Sequence, residues 1–157
     1  MVDLRPVCQE DCQILFIWAN DEVTRANSIN TSVITWNTHM QWFREKMDSL
    51  KSCLYIITDN DKPVGQIRLD IVDEGSAEIS LSVAPQHRGK GYAALGISLA
   101  LQKVMRDGFC YRVVAKVKAG NKASVKSFIN AGFKYSGDKI VQNTHCHIFN
   151  YIMQKIN

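Results

Sequence analysis

The stretch "SVAPQHRGKGYAA", residues 82–94, constrains the fold of this chain more than any other. Upstream of it, "AEISLSV" alternates: Ile79, Leu81 and Val83 face one way, Glu78, Ser80 and Ser82 the other, as in a half-buried strand. Downstream, from Tyr92 to Asp107, Ala94, Ile97, Leu101 and Val104 recur at helical spacing, with Gly108 as the stop. A strand that runs through a glycine turn into an amphipathic helix predicts a layered arrangement of sheet and helix. The turn is also suited to an anion. A helix N-terminus offers unpaired N–H groups and about half a positive charge. Gly89 and Gly91 let the backbone come close to oxygen atoms, and Arg88 and Lys90 add charge.

The other elements follow from the same periodicities. "VDLRPV" reads as a first strand, and Ile14, Leu15, Ile17 and Trp18 mark a helix from Asp11 to Ala19. Thr35 caps a second helix with Met40, Phe43 and Met47 at helical spacing. "CLYIIT" and "PVGQIRLDIV", joined by "DNDKP", form a hairpin. "YRVVAKVKA" is a strand, Asn121 caps a helix through Ile129, and a last hairpin pairs Phe133–Ser136 with His145–Met153. The order βααβββαβαββ predicts an α/β (α+β) architecture, a mixed central sheet of about six or seven strands with helices on both faces. No linker or repeat divides residues 1–157, so one domain is expected.

Composition narrows the partners. The net charge of +4 is spread along the chain, which gives a weak pull toward polyanionic ligands but no nucleic-acid footprint. No apolar run approaches the ~20 residues of a membrane span, and the N-terminus lacks a signal core. Five cysteines without a CxxC pair fit reduced thiols in a cytoplasmic protein. "HCH" puts His145 and His147 on one strand face, but no third ligand is evident, and no metal is expected.

Several phosphate sites compete for the glycine turn. A P-loop fails, because Gly91 follows Lys90 where Ser or Thr is needed. Gly89, Gly91 and Ala94 satisfy a dinucleotide GxGxxA, but the loop follows the fourth strand instead of the first, and the next strand ends in lysines where a ribose-binding acid belongs. An ordinary strand-to-helix turn is the plainest account.

"Gln86-His87-Arg88-Gly89-Lys90-Gly91" resembles the Q/R-x-x-G-x-G/A signature of the GCN5-related N-acetyltransferases, the GNAT superfamily. "NKASVKSFINAGFKYSG" is similar to that family's N-x-x-(A/S)-x-x-x-(Y/F)-x-x-x-GF helix, and the element order agrees over nearly the whole chain. The resemblance implies a GNAT fold and acetyl-CoA as co-substrate. It implies that the backbone of Leu81, Ser82 and Val83 pairs with pantetheine and that the amides of Arg88, Gly89, Lys90, Gly91 and Tyr92 wrap the pyrophosphate. Asn121, Ser124 and Phe128 would lie along the thioester end. Asn121 is equally a sufficient N-cap.

Acetyl transfer needs a neutral amine, whose ammonium form has a pKa near ~10 in water, so a carboxylate base is wanted. Glu78, on the polar face shared with Ser80 and Ser82, is the candidate, with a solvated or salt-bridged glutamate as its plainer reading. Many family members carry a tyrosine where this chain has Phe128, so Tyr135, or else Tyr92, stands in as the expected proton donor.

"WANDEVTRANSIN" and "WNTHMQWF" resemble acetyltransferases that modify nucleotide-linked amino sugars, as in the pseudaminic acid pathway. That likeness implies an acceptor site with Arg25, Ser28, His39 and Trp42, to which Gln66 and Arg68 add a polar strand face. The expected partner is a small amine, a sugar nucleotide by preference, with the protein a monomer or homodimer. A peptide or ribosomal-protein N-terminus, or a non-catalytic acyl-CoA-binding role, are the alternatives.

Overall fold

Strands whose two faces both carry apolar residues need cover on both sides, and the chain supplies it. The computed structural model describes residues 1–153. The elements are β1 (Val2–Pro6), α1 (Cys12–Ala19), α2 (Glu22–Ala26), α3 (Trp36–Asp48), β2 (Ser52–Asp59), β3 (Lys62–Asp73), β4 (Ser76–Val83), α4 (Tyr92–Arg106), β5 (Arg112–Lys118), α5 (Lys122–Asn130), β6 (Lys134–Val141) and β7 (Thr144–Ile152). The seven strands form one mixed sheet in the order β1-β2-β3-β4-β5-β7-β6. Adjacent Ile56 and Ile57 on β2, both fully buried, show the two faces. Ile57 joins α4 and α5 in one cluster with Ile67, Ile97, Val104 and Phe128, whereas Ile56 packs with Leu15, Trp18 and Phe43 from α1 and α3.

Three differences from the sequence reading matter. A short helix, α2, lies between the two expected first helices, capped by Asp21, whose Oδ2 accepts from the Thr24 amide at 3.1 Å. Five residues are too few to show a 3.6-residue period. In α3 the inward row is His39 and Phe43, while Met47 faces solvent. Phe43 is on the expected face, and a histidine in the buried row breaks the apolar pattern that Met40 and Met47 suggest. Finally, β6 continues to Val141, where Gln142 and Asn143 (φ 48° and 61°) make a two-residue turn into β7.

The placement of the site follows from one break in the sheet. β4 and β5 run parallel and pair only over Ser76–Glu78 and Arg112–Val114. Beyond that, β4 keeps β3 as its partner through Val83, and β5 keeps β7 through Lys118. The two strands therefore part, and the N-termini of α4 and α5 stand on the rims of the opening.

Candidate active site

Two cavities meet at the break. One, of about 550 Å³, is the cleft between β4, the glycine turn and α5. Leu81, Ser82 and Val83 line it, as do Arg88, Gly89, Gly91, Tyr92, Asn121 and Ser124. Gly89 and Gly91 have φ of +77° and +82°, the left-handed region that favours glycine, and a side chain at either would meet nothing within 4 Å. The turn thus leaves an open concavity at the start of α4. Asn121 caps α5, its Oδ1 accepting from the Ser124 amide at 3.2 Å, so capping and cleft lining fall to one residue.

Lys90 is exposed and Phe128 is buried edge-on to Phe133 in the core; neither lines the cleft. Tyr135 lines neither cavity. It lies on β6, where its hydroxyl donates to Asp138 Oδ1 at 2.5 Å, so a proton-donor role for it has no geometric support. Tyr92 does line the cleft, but its hydroxyl donates to Asp59 Oδ2 at 2.5 Å, and that bond holds its pKa above the usual phenol value.

The second cavity, about 310 Å³, lies on the α1–α3 side of the sheet and shares Thr24, Ser28, Leu81 and Ser82 with the first. Arg25, Ser28, His39, Trp42, Gln66 and Arg68 all line it. Its floor is a polar ladder in which Gln66 pairs with Ser82 and Arg68 with Ser80. His39 is buried, stacks on Trp42 at 5.5 Å and is bonded through Nε2 to the Cys12 carbonyl at 2.8 Å. Burial pulls its pKa down, so the ring is neutral and Nε2 carries the proton in that bond.

The two arginines differ in what they have left to give. Arg25 donates through Nε to the Ala19 carbonyl, through Nη1 to those of Asn30 and Ser32, and through Nη2 to Ser28 Oγ. Four of its five N–H groups are thereby engaged in holding the loop after α2, and a bidentate phosphate contact would have to break some of them. Arg68 uses only Nε, toward Asp70 Oδ2 at 2.8 Å, and lies over the Trp42 ring at 5.2 Å. Its two terminal nitrogens have no partner among the described residues.

Three carboxylates near the site, Asp70, Asp21 and Glu78, are paired. Burial alone would raise the pKa of Asp70, but Lys46, Ser52 and Arg68 hold it below the usual range. Asp21 is bonded to Arg88 and its pKa is lowered by that contact, which ties α2 to the glycine turn; Thr24 also accepts from Arg88 at 3.2 Å. Glu78 pairs with Asp70 across β3 and forms an ion pair with Lys116 Nζ at 3.2 Å. It stands two residues before Ser80 on the same face, about 7 Å further along the strand, just outside the second cavity.

Reading the sequence missed Thr24 and His87. Thr24 lies where the cavities join, in the helix that periodicity did not show. His87, within the glycine signature, lines the cleft with a buried Nε2 that has no partner among the described residues. Burial, with Lys62 and Lys90 nearby, keeps its pKa low.

Residues 2–134 match the family model described as an acetyltransferase (GNAT) domain. The chain belongs to the GNAT acetyltransferase family. It is 28% identical over 145 residues to an uncharacterized N-acetyltransferase p20 of Bacillus licheniformis, a match covering 85% of this chain and 79% of the relative. Its fold superposes on the spermidine N-acetyltransferase of Vibrio cholerae in complex with CoA and spermine, with TM-score 0.87, 16% identity and 97% and 95% of the two chains covered. It also superposes on AAC(6')-Ib in complex with ribostamycin and coenzyme A, with TM-score 0.84, 16% identity and 96% and 93% covered. This GNAT protein is an acyltransferase that transfers the acetyl group of acetyl-CoA to an amine.

Proposed function

We propose that this GNAT enzyme acetylates the amino group of a sugar carried on a nucleotide diphosphate, with Arg68 receiving the anionic part of the acceptor. The carrying observation is the charge of the second cavity: Arg25 and Arg68 line it, and no carboxylate does among the described residues. A polycation such as spermine or ribostamycin would meet two guanidinium groups there, whereas a diphosphate meets a free guanidinium fork over an indole face.

The acceptor amine enters near Ser80 and Ser82, and coenzyme A lies along Leu81–Val83 with its pyrophosphate on the amides of the glycine turn. Glu78 removes the ammonium proton, through one water across the gap to the cavity. The neutral nitrogen then attacks the thioester carbonyl, the C–S bond breaks as the amide forms, and the proton the nitrogen sheds passes through water to the departing thiolate. A thiol has a pKa near ~8.5, so the sulfur leaves as thiolate and needs no dedicated acid. That agrees with a site in which Tyr92, engaged by Asp59, is the one tyrosine lining either cavity among the described residues.

The test is an acceptor panel with acetyl-CoA: a UDP-linked 4-amino sugar, the free amino sugar, spermidine and short peptides. The nucleotide sugar is expected to give the highest kcat/KM. Efficient acetylation of peptides or spermidine, with the nucleotide sugar ignored, would overturn the reading and leave the fold and the acetyl-CoA chemistry standing.

A further inference from the structure

The "HCH" motif acquires a third ligand once the terminal hairpin is folded. His145 and His147 alternate on one face of β7, and the pairing of β6 with β7 sets Asp138 opposite His147. Asp138 Oδ2 lies 2.7 Å from His145 Nε2, and Asp138 Oδ1 lies 2.7 Å from His147 Nδ1. One ligand atom from each of the three lies within 4.8 Å of the others. A register shift between Tyr135 and Gly137 turns Tyr135 onto the same face, where its hydroxyl bonds Asp138. None of these residues lines the acceptor cavity or the coenzyme cleft.

We propose that Asp138, His145 and His147 bind a zinc ion on the β6–β7 hairpin, independently of acetyl transfer. Two imidazoles and one carboxylate are a donor set for a borderline divalent ion, and the softness of two nitrogen ligands argues against magnesium or calcium. Tetrahedral zinc with bonds near ~2.0 Å holds its ligand atoms about 3.3 Å apart, so side-chain rotations that bring one Asp138 oxygen and the two imidazole nitrogens inward, from within 4.8 Å of one another, suffice to meet it. Each imidazole gives up the proton on the nitrogen that takes the metal, to its other ring nitrogen or to solvent. Water completes the fourth position, since the cluster is solvent-accessible. Tyr135 orients the Asp138 carboxylate from outside the ligand set, a common arrangement around metal ligands. The ion would fasten the hairpin beside the turn that leads into α5, because the Ala119 amide donates to the His145 carbonyl at 3.0 Å.

Untagged protein titrated with zinc chloride by calorimetry should bind one ion saturably, and its Tm should rise with zinc concentration. Cobalt(II) in place of zinc should give the visible absorption of a tetrahedral centre. Asp138→Asn and His145→Gln should each weaken binding at least roughly tenfold and abolish the Tm rise, whereas Cys8→Ser, at an exposed thiol, should change neither. Circular dichroism of the metal-free variants checks that the hairpin substitutions leave the fold intact; a variant that fails it is replaced by His147→Gln, read the same way. Undiminished stoichiometric binding in a folded His145→Gln, His147→Gln double variant would overturn the proposal, as would a wild type that takes up no zinc at about 100 µM.

Discussion

The carboxylate of Glu78 forms an ion pair with the Lys116 ammonium at 3.2 Å, and the proposed mechanism asks it to take the proton of the acceptor amine as well. An ion pair between partly exposed groups contributes little, so Lys116 is no obstacle to the proposed proton transfer to Glu78. Glu78→Gln keeps size and hydrogen bonding but cannot accept the proton. We expect kcat to fall about a hundredfold at neutral pH with coenzyme affinity near wild type, and the deficit to shrink as pH rises and more amine is already neutral. Full turnover of the variant at neutral pH would remove Glu78 from the mechanism. Gly89 supports a second expectation. Its φ of +77° is one that aspartate tolerates better than most residues, and a side chain there meets nothing within 4 Å, so Gly89→Asp should fold. It would nonetheless set a negative charge in the anion concavity. Calorimetry should find coenzyme A affinity reduced at least roughly tenfold, about 1.4 kcal/mol; unchanged affinity would move the pyrophosphate elsewhere.

Between elements, Asp11 joins β1 to the start of α1. Its carboxylate is almost buried and accepts from Arg5 Nη1 at 2.7 Å, Arg5 Nη2 at 2.9 Å and the Cys8 amide at 2.8 Å. The Arg5 hydrogen bond leads in holding its pKa below the usual range. A depressed folded pKa stabilises the native state above the unfolded value, near ~3.9, and that contribution is lost as pH falls through the folded one. Asp11→Asn should therefore lower stability by about 1–2 kcal/mol at pH 7 in urea unfolding, and the gap from wild type should narrow at pH 3. A gap independent of pH would assign the effect to packing instead of charge. Local signals explain why so much of this scale was legible: the strand, glycine turn and amphipathic helix from Ser76 to Arg106 are each encoded within a dozen or so residues. The parts that escaped are those fixed by distant partners. Nothing near Arg25 announces that the carbonyls of Ala19, Asn30 and Ser32 would claim it. Asp138 is a neighbour of two histidines only because β6 runs past Ser136 to Val141 and the turn at Gln142–Asn143 folds it back along β7.

At the scale of the whole molecule, two cavities that share Thr24, Ser28, Leu81 and Ser82 meet where β4 parts from β5, and the proposed function gives one to the coenzyme and the other to the acceptor. No cysteine lines either cavity among the described residues, and the Ser82 hydroxyl accepts from Gln66 Nε2 at 3.1 Å. The proposed mechanism transfers the acetyl group directly, with both substrates bound, so initial-velocity plots should intersect; parallel lines would demand an acetyl-enzyme and overturn it. On the proposed function, acceptor choice follows from the charge of the cavity that Arg25 and Arg68 line. Arg68→Ala removes the free fork while leaving Asp70 to Lys46 and Ser52, at 2.7 Å and 2.6 Å. A charge-assisted bidentate contact is worth about 1.5–3 kcal/mol, so KM for a nucleotide-linked amino sugar should rise roughly ten- to a hundredfold, with KM for acetyl-CoA unmoved. Arg25→Ala should behave differently: by releasing the loop from Ser28 to Ser32 it should lower stability and impair all acceptors alike. Arg68→Glu carries the argument to its end, because a reversed charge in the same place should improve spermidine relative to the nucleotide sugar. If it leaves that ratio unchanged in the folded enzyme, the charge of this cavity does not select the acceptor.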